Sequence, residues 1–201
     1  MKAIEVVLFD LGDVACHFVP DRRLAALALR TGLREEAIHE ALWESSFSER
    51  ADRSEFSSAE MYVEIRARLG VEMPPEEIRS LWVQAFRVNA EVLDIVRSIP
   101  NKYTTGLLTN NPPILLEALA DHLPEISETF NPILFSCELG ATKPDVELFD
   151  AAARKLAVDP EHIVLIDDSE RNVTAARRHG WNAIRFLSAE RLVRDLELAL
   201  G

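Results

Sequence analysis

Carboxylate, hydroxyl and amide side chains stand directly after three apolar runs of this 201-residue sequence. They are Asp10 and Asp13 after the first run, Thr109, Asn110 and Asn111 after the second, and Asp167 and Asp168 after the third. Carboxylates that converge on one crevice repel one another, and a buried cluster of this kind needs a cation or a shared proton. Oxygen ligands favour a hard ion, and Mg²⁺ bound by a few carboxylates and a substrate phosphate fits this set best. Lys143, just before Pro144, adds a compact positive charge that could face an anion or a nucleophile.

A scaffold must bring these distant residues together, and the sequence predicts a parallel β-sheet for this purpose. The segment from Ile4 to Phe9 is mainly apolar and rich in β-branched residues, which is typical of a strand buried on both faces. Comparable runs cover residues 103–108, 162–166 and 181–186, and a shorter one covers 132–137. Ligands of open α/β sheets bind beyond the carboxyl ends of the strands, which is where the polar residues stand.

Helical patterns alternate with these runs. The predicted helices of this part of the chain are 112–119, 145–156, 170–179 and 188–200. The alternation of strands and helices predicts an α/β fold with a Rossmann-like parallel sheet.

Residues 18–88 break this alternation, because they carry helical spacing and no predicted strand. Their four helical segments are 21–30, 34–43, 57–69 and 75–86. We therefore predict an all-helical cap at residues 18–88, inserted into an α/β core that comprises residues 1–17 and 89–201.

Composition and charge narrow the class of protein. Apolar residues make up 48% of the chain, and 22 Lys and Arg face 34 Asp and Glu, for a net charge of −12. This balance argues against broad binding to nucleic acid or to an anionic membrane, and no apolar run approaches the roughly 20 residues that span a bilayer. The two cysteines form no metal-binding pattern and the first residues resemble no signal peptide, so we expect a cytoplasmic location. The sequence does not set the oligomeric state.

Four ordered segments resemble the motifs of the haloacid dehalogenase-like (HAD) hydrolases, in the group with a helical cap after the first motif. Phe9–Val14 is similar to motif one, Leu107–Asn111 to motif two, Gly140–Asp145 to motif three, and Ile166–Asn172 to motif four. The resemblance covers essentially the whole chain, and four motifs in order are far more specific than one short pattern.

The resemblance implies Mg²⁺-dependent hydrolysis of a small phosphomonoester through an aspartyl-phosphate, with sugar phosphates as the substrate class. Its catalytic residues would be Asp10 as nucleophile, Thr109 and Lys143. Substrate contacts would come from Thr109, Asn110 and Lys143, and the metal ligands would be Asp10, the Gly12 carbonyl, Asp167 and Asp168. The partner would be a small phosphorylated metabolite.

Gly12 departs from the pattern of this family. Its phosphatases usually carry a second Asp there, which protonates the leaving group, and general acid–base help is typically worth about 10²–10⁴-fold in rate. Asp13 and His17 are the candidate substitutes, although a turn carboxylate and a histidine without a catalytic role are the competing interpretations.

Two alternatives to the phosphatase remain open at this stage. A 2-haloacid dehalogenase would use Asp10 without a metal, and Gly12 would be harmless because a halide leaves without a proton; the paired Asp167 and Asp168 argue against it. A catalytically weak HAD-like protein that binds a phospholigand is the other alternative, and the joint presence of Asp10, Thr109, Lys143 and Asp168 argues against that one.

Residues of the predicted cap carry two further expectations. Four aromatic side chains should pack in the helical core rather than stack on a substrate: Trp43, Phe47, Phe56 and Trp82. Arg50 and Arg53 lie beside acidic residues, and a solvated charge run competes with contact to an anionic substrate.

Overall fold

The computed structural model describes residues 3–201. Met1 and Lys2 lie outside the described residues. Two predictions include them: the core segment of residues 1–17 and a chain start that resembles no signal peptide. The strands are β1 (Val6–Phe9), β2 (Cys16–Phe18), β3 (Phe86–Val88), β4 (Thr104–Thr109), β5 (Ile133–Phe135), β6 (Ile163–Asp167) and β7 (Asn182–Arg185). The helices are α1 (Pro20–Thr31), α2 (Glu35–His39), α3 (Phe47–Asp52), α4 (Ser58–Leu69), α5 (Pro75–Trp82), α6 (Ala90–Ser98), α7 (Pro113–His122), α8 (Pro124–Thr129), α9 (Ser136–Leu139), α10 (Val146–Leu156), α11 (Glu170–Arg178) and α12 (Ala189–Leu200).

The large sheet has the strand order β5-β4-β1-β6-β7, and all its neighbouring strands are parallel. The predicted Rossmann-like α/β fold is confirmed. β1 lies at the centre, with Phe9 opposite Leu107 of β4 and Ile166 of β6. The carboxyl ends of these three strands therefore meet at one edge of the sheet, and this edge receives the polar residues that follow them.

The central strand is apolar on both sides because both faces of the sheet are covered. Val7 and Phe9 belong to one buried cluster, whereas Val6 and Leu8 belong to another. This division follows from the alternation of side chains along a strand. The first cluster continues into the segment between β2 and β3 and includes buried side chains of α1, α4 and α5, so that one apolar core holds these helices and the sheet together.

A small antiparallel ribbon corrects the expectation that residues 18–88 contain no strand. β2 pairs with β3, and Cys16 lies opposite Val88 while Phe18 lies opposite Phe86. The ribbon includes both predicted boundaries of the insert. The buried side chain of Asn89 donates a hydrogen bond to the Val14 carbonyl oxygen (3.1 Å) and so holds the returning chain beside the outgoing one.

The helices of residues 20–82 begin and end at ordinary signals. Pro75 opens α5 with acidic residues in its first turn, and Ser57 forms a capping box with Glu60 at α4. Gly32 and Gly70 follow α1 and α4 in the left-handed conformation that only glycine adopts without strain.

Some predicted segments differ from the observed ones. The predicted strand at 132–137 ends at Phe135, and α9 begins at Ser136. The predicted helix at 34–43 is α2 followed by a short π-helical segment at Glu40–Glu44. Among residues 3–201, no helix combines the length and the apolar character needed to cross a bilayer.

Candidate active site

Asp10 stands at the carboxyl end of β1, at the centre of the polar edge. Its backbone N–H donates to the Ile166 carbonyl oxygen at 2.8 Å, which extends the pairing of β1 with β6 by one residue. Its carboxylate Oδ1 accepts from the Leu11 N–H (2.7 Å) and lies 2.8 Å from the Lys143 Nζ. No hydrogen-bond donor among residues 3–201 contacts Oδ2, so one oxygen of this carboxylate is held and the other is available.

Lys143 links the three central strands. Its ammonium group contacts Asp10 and donates to Asp167 Oδ2 (2.7 Å) and to the Leu108 carbonyl oxygen (2.9 Å). Burial by itself would lower the pKa of this lysine, but the two adjacent carboxylates outweigh burial and raise it. Lys143 is therefore a permanently charged group that fixes the orientation of Asp10.

Asp167 and Asp168 differ in how their side chains are used. Asp167 is fully buried and accepts from the Ser169 N–H (2.9 Å), from the Asn172 side-chain amide (3.0 and 3.2 Å) and from Lys143. Asp168 is half-buried, and among the described residues its carboxylate accepts a hydrogen bond only from its own backbone N–H. The first carboxylate thus holds Lys143 in place, while the second is available for a ligand.

The carboxylates of this edge fit a divalent cation. Oxygens of Asp10, Asp167 and Asp168 lie within 4.8 Å of one another. Burial raises the pKa of Asp10 to about 6; the Lys143 charge opposes this rise and the Asp167 charge adds to it. Burial also raises the pKa of Asp168, with further contributions from Asp167 and Asp13. One ammonium group does not balance this negative charge, and a hard cation with oxygen ligands would.

The loop after β4 organises the opposite side of the site. The buried Thr109 hydroxyl accepts from the Asn111 side-chain amide (2.7 Å), and the Asn111 N–H donates to Ser136 Oγ (3.0 Å). Asn110 donates to the Lys143 carbonyl oxygen (2.9 Å) and accepts from the Lys143 N–H (2.8 Å). Asn110 thus holds the backbone that presents Lys143, and its predicted contact with substrate stays a prediction.

Gly12 lies in a wide turn that leads from β1 into the ribbon. The turn is closed by the Cys16 N–H, which donates to the Leu11 carbonyl oxygen at 2.7 Å. A Cβ atom at position 12 would meet the Phe18 Cβ at 3.7 Å, an ordinary van der Waals distance. The glycine is therefore not required by space, and position 12 lacks the carboxylate that the family resemblance leads us to expect there.

The two candidate substitutes for the missing carboxylate differ in their surroundings. Asp13 is exposed and adopts the left-handed conformation (φ 54°), and its carboxylate accepts from the Phe18 N–H at 3.0 Å. It therefore stabilises the turn between β1 and β2, and its charge also contributes to the raised pKa of Asp168. His17 is exposed on the ribbon, opposite Arg87.

The arginines of residues 50–53 already have carboxylate partners. Arg50 pairs with Glu55 and Arg53 pairs with Asp145, each at 2.6 Å. The second pair joins the helical insert to the loop that carries Lys143. Trp43, Phe47, Phe56 and Trp82 pack among one another and with neighbouring helices, in line with the expectation of a core role.

Two buried polar groups of the helical insert were missed by the sequence reasoning. Arg23 is 4% exposed in α1, and Oδ1 of Asp52, at the end of α3, is buried and has no hydrogen-bond partner among the described residues. The sequence gives a weak indication that Arg23 is buried, because it stands four residues before the buried Leu27 and so falls on the apolar stripe of α1. Nothing in the sequence distinguishes Asp52 from the exposed acids around it.

The site and the fold together define a hydrolase class. A family model of the haloacid dehalogenase-like hydrolases matches residues 4–180, and the chain belongs to this family. The chain is 23% identical over 191 residues to a D-ribitol-5-phosphate phosphatase of Bacteroides thetaiotaomicron, and the match covers 90% of this chain and 91% of that protein.

Two solved structures show the same fold. A HAD family enzyme from Bacteroides thetaiotaomicron, in complex with magnesium and inorganic phosphate, superposes with a TM-score of 0.77 at 23% identity, over 91% of this chain and 94% of that one. The L-2-haloacid dehalogenase of Xanthobacter autotrophicus superposes with a TM-score of 0.64 at 17% identity, over 96% of this chain and 82% of that one. At these identities the likeness concerns the fold alone.

Proposed function

We propose that this hydrolase is an Mg²⁺-dependent phosphatase that acts on small phosphomonoesters through an aspartyl-phosphate on Asp10. The observation that carries the proposal is the state of the Asp10 carboxylate, which has one oxygen fixed by Leu11 and Lys143 and the other unbonded. Support also comes from the phosphatase relative and from the neighbouring structure that holds magnesium and phosphate. By the same comparison, a phosphorylated polyol or sugar is the substrate class.

The free Oδ2 of Asp10 attacks phosphorus, the ester P–O bond breaks, and the leaving alkoxide takes up a proton from solvent water, since position 12 carries no acid. Water then attacks phosphorus in the second step, which releases phosphate and restores the carboxylate. Formation of a covalent intermediate splits one difficult displacement into two easier ones. Lys143 keeps the nucleophile in one orientation, and the Thr109 hydroxyl and the backbone amides after Asp10 hold the phosphoryl oxygens as charge shifts.

Asp10, the Gly12 carbonyl oxygen and Asp168 would hold Mg²⁺, and Asp167 adds negative charge while it orients Lys143. When bound, the ion offsets the repulsion between the anionic nucleophile and the anionic phosphate. Residues 18–88 serve as a cap over this edge, inserted into a core of residues 1–17 and 89–201. The Arg53–Asp145 pair is one point where the two parts meet.

The dehalogenase is the second candidate, because Gly12 leaves no general acid beside the nucleophile and a halide needs none. An assay with purified protein separates the two candidates. An aryl phosphate, a panel of phosphorylated metabolites and 2-chloropropionate would be tested with Mg²⁺ and with excess chelator. We expect hydrolysis of phosphates in Mg²⁺ and none in chelator. Release of chloride without metal, and no phosphate release in Mg²⁺, would establish the dehalogenase instead.

A further inference from the structure

The Thr109 hydroxyl is buried, and its proton has no acceptor in the described chain. Thr109 is 1% exposed at the end of β4, and its Oγ accepts a hydrogen bond from the Asn111 side-chain amide at 2.7 Å. Among residues 3–201, this is the only hydrogen bond of the hydroxyl. A hydroxyl group has one proton to donate and two lone pairs that accept. The Asn111 amide therefore occupies a lone pair and leaves the proton for a group that the chain does not supply.

The backbone of Asn111 is held by Ser136. This serine is fully buried at the start of α9, directly after Phe135, which lies opposite Thr109 in the sheet. Its Oγ accepts from the Asn111 N–H at 3.0 Å and donates to the Asn111 carbonyl oxygen at 3.4 Å. Pro112 follows, and a proline disfavours helical backbone at the residue before it. The backbone of Asn111 is thus restricted on both sides while its side chain contacts Thr109.

The neighbouring Asn110 is not available for this contact. Its side-chain amide donates to the Lys143 carbonyl oxygen (2.9 Å), and its side-chain oxygen accepts from the Lys143 N–H (2.8 Å). The two asparagines therefore have separate tasks, since Asn110 holds the backbone of Lys143 and Asn111 contacts the Thr109 hydroxyl. The ammonium group of Lys143 in turn contacts Asp10, so that both asparagines act on the edge of the sheet that carries the proposed nucleophile.

We propose that Asn111 is a positioning residue, which orients the Thr109 hydroxyl so that it donates its proton to the phosphoryl group; this role rests on the proposed phosphatase function. An N–H that donates to the hydroxyl oxygen polarises the O–H bond and directs the proton away from Asn111. A phosphoryl oxygen is the anionic acceptor that this proton lacks in the described chain. A donor that is oriented before the substrate binds needs no reorganisation during the reaction.

The atom that faces Thr109 decides what the hydroxyl offers to a phosphate. A carboxylate or carbonyl oxygen at this place would accept the proton of the hydroxyl, and Thr109 would then present only lone pairs to an anion. An apolar side chain would leave the hydroxyl free to rotate, so that it would donate to the phosphate in only part of its orientations. The amide N–H is therefore the feature of Asn111 that an experiment must remove.

A double-mutant cycle tests this role, with an aryl phosphate as substrate in saturating Mg²⁺. Asn111→Leu keeps the approximate shape of the side chain and removes its amide, and kcat/KM should fall by about 10-fold because one oriented hydrogen bond is weakened. Thr109→Val removes the hydroxyl, and kcat/KM should fall by about 100-fold. In the Thr109→Val background, Asn111→Leu should cause no further loss, because Asn111 acts through the hydroxyl.

Binding of orthovanadate in Mg²⁺, measured by isothermal titration calorimetry, gives a readout that does not depend on turnover. Its Kd should rise by about 10-fold in Asn111→Leu. In the Thr109→Val background, the Kd should be the same with and without Asn111→Leu. Asn111→Asp replaces the N–H donor by an acceptor, and it should weaken binding more than Asn111→Leu does.

The matched control is Asn182→Leu, because the Asn182 amide donates to the Glu161 carbonyl oxygen (2.8 Å) near the amino end of β6, and it should leave both quantities unchanged. Near-ultraviolet circular dichroism checks folding, and Asn111→Ala replaces Asn111→Leu if the latter does not fold. The positioning role is overturned if the unaltered protein hydrolyses the aryl phosphate and Asn111→Leu stays within about twofold of it, or if the two losses multiply in the double variant. If the unaltered protein hydrolyses no phosphate in Mg²⁺, the phosphatase proposal itself fails.

Discussion

At the scale of single residues, the candidate site depends on one buried ammonium group that serves two carboxylates. Lys143 is 1% exposed and contacts both Asp10 and Asp167 at hydrogen-bond distance. An arrangement of this kind orients the Asp10 carboxylate, which is the proposed nucleophile. It also stabilises the fold, because each carboxylate would otherwise be a buried charge without an opposite charge beside it.

Lys143→Met should therefore lower the free energy of unfolding by about 3–5 kcal/mol, since one truncation leaves two buried carboxylates unpaired. Denaturation by urea at neutral pH, without metal, measures this change. The matched control is Lys155→Met, which removes a half-exposed ammonium group that pairs with Glu138, and it should cost no more than about 1 kcal/mol. Equal losses in the two variants would contradict the structural role of Lys143.

Under the proposed phosphatase mechanism, Gly12 should set how strongly the reaction depends on the basicity of its leaving group. Aryl alcohols leave phosphorus with little protonation, whereas alkyl alcohols need a proton. Without a carboxylate at this position, the ratio of kcat for aryl phosphates to kcat for alkyl phosphates should therefore be larger than in a relative that carries the acid. Gly12→Asp should narrow the aryl-to-alkyl ratio of kcat by up to about 100-fold, because the new carboxyl group can protonate a leaving alkoxide. A Cβ atom at this position meets only the Phe18 Cβ, at an ordinary 3.7 Å.

Gly12→Asn adds the same bulk without a proton to give, and it serves as the control for this measurement. The account of Gly12 is wrong if the aspartate variant folds normally and slows both classes of substrate. Asp13 and His17 would then be the next residues to replace.

At the scale of elements, the central strands β1, β4 and β6 could be predicted because their apolar runs are long and each ends in polar residues. The ribbon could not be predicted, since β2 and β3 have three residues each and show no periodicity. They pair only because the insert returns to its starting point. The short helices α3 and α9 were missed for the same reason, as their positions depend on contacts with distant parts of the chain.

Within the site, the positions of the motif residues could be predicted, but their hydrogen-bond partners could not. The roles of Asp10 and Lys143 were expected from the family resemblance, whereas the use of both ends of the Asn110 amide on the backbone of Lys143 follows only from folding. Likewise, the rings that surround Arg23 come from four separate elements, and no local pattern reveals this.

Burial of Asp52 in the insert should make stability depend on pH. Burial raises the pKa of this carboxyl from 3.8 to about 7, against the opposing charge of Arg23. The folded protein therefore keeps a proton that the unfolded chain loses between about pH 4 and pH 7, and the free energy of unfolding falls as the pH rises through this window.

Asp52→Asn removes this titration. Relative to the variant, the unaltered protein should lose about 2–4 kcal/mol of stability between pH 4 and pH 8, as measured by urea denaturation at several pH values. The control is Glu36→Gln, which alters an exposed residue of α2. Its free energy of unfolding should change with pH in parallel with that of the unaltered protein. Parallel pH profiles for Asp52→Asn and the unaltered protein would contradict the buried state of this carboxyl.

At the scale of the whole molecule, one apolar core joins the insert to one face of the sheet. The polar edge of the sheet, which carries the candidate site, has excess negative charge within a chain of net charge −12. A cation that binds this edge should therefore stabilise the folded protein as a unit. Mg²⁺ at about 100 times its Kd should raise Tm by about 5–10 °C.

Asp168→Asn should abolish this Mg²⁺-induced shift and slightly raise Tm without metal, because one of several repelling carboxylates is gone. Differential scanning calorimetry with and without Mg²⁺ gives both values. Asp159→Asn, in the other acidic cluster of the described chain, is the control and should retain the full shift. A shift that survives in Asp168→Asn would place the metal elsewhere.

The covalent intermediate on Asp10 is the central claim, and mass spectrometry of the acid-quenched enzyme tests it most directly. The protein is mixed with an aryl phosphate and Mg²⁺, quenched within one turnover, digested and mapped for phosphorylated peptides. We expect a phosphoryl group on Asp10, none in Asp10→Asn, and no turnover by that variant, which should fold like the unaltered protein. A phosphoryl group on a different residue, or turnover by Asp10→Asn at an unchanged rate, would contradict the account.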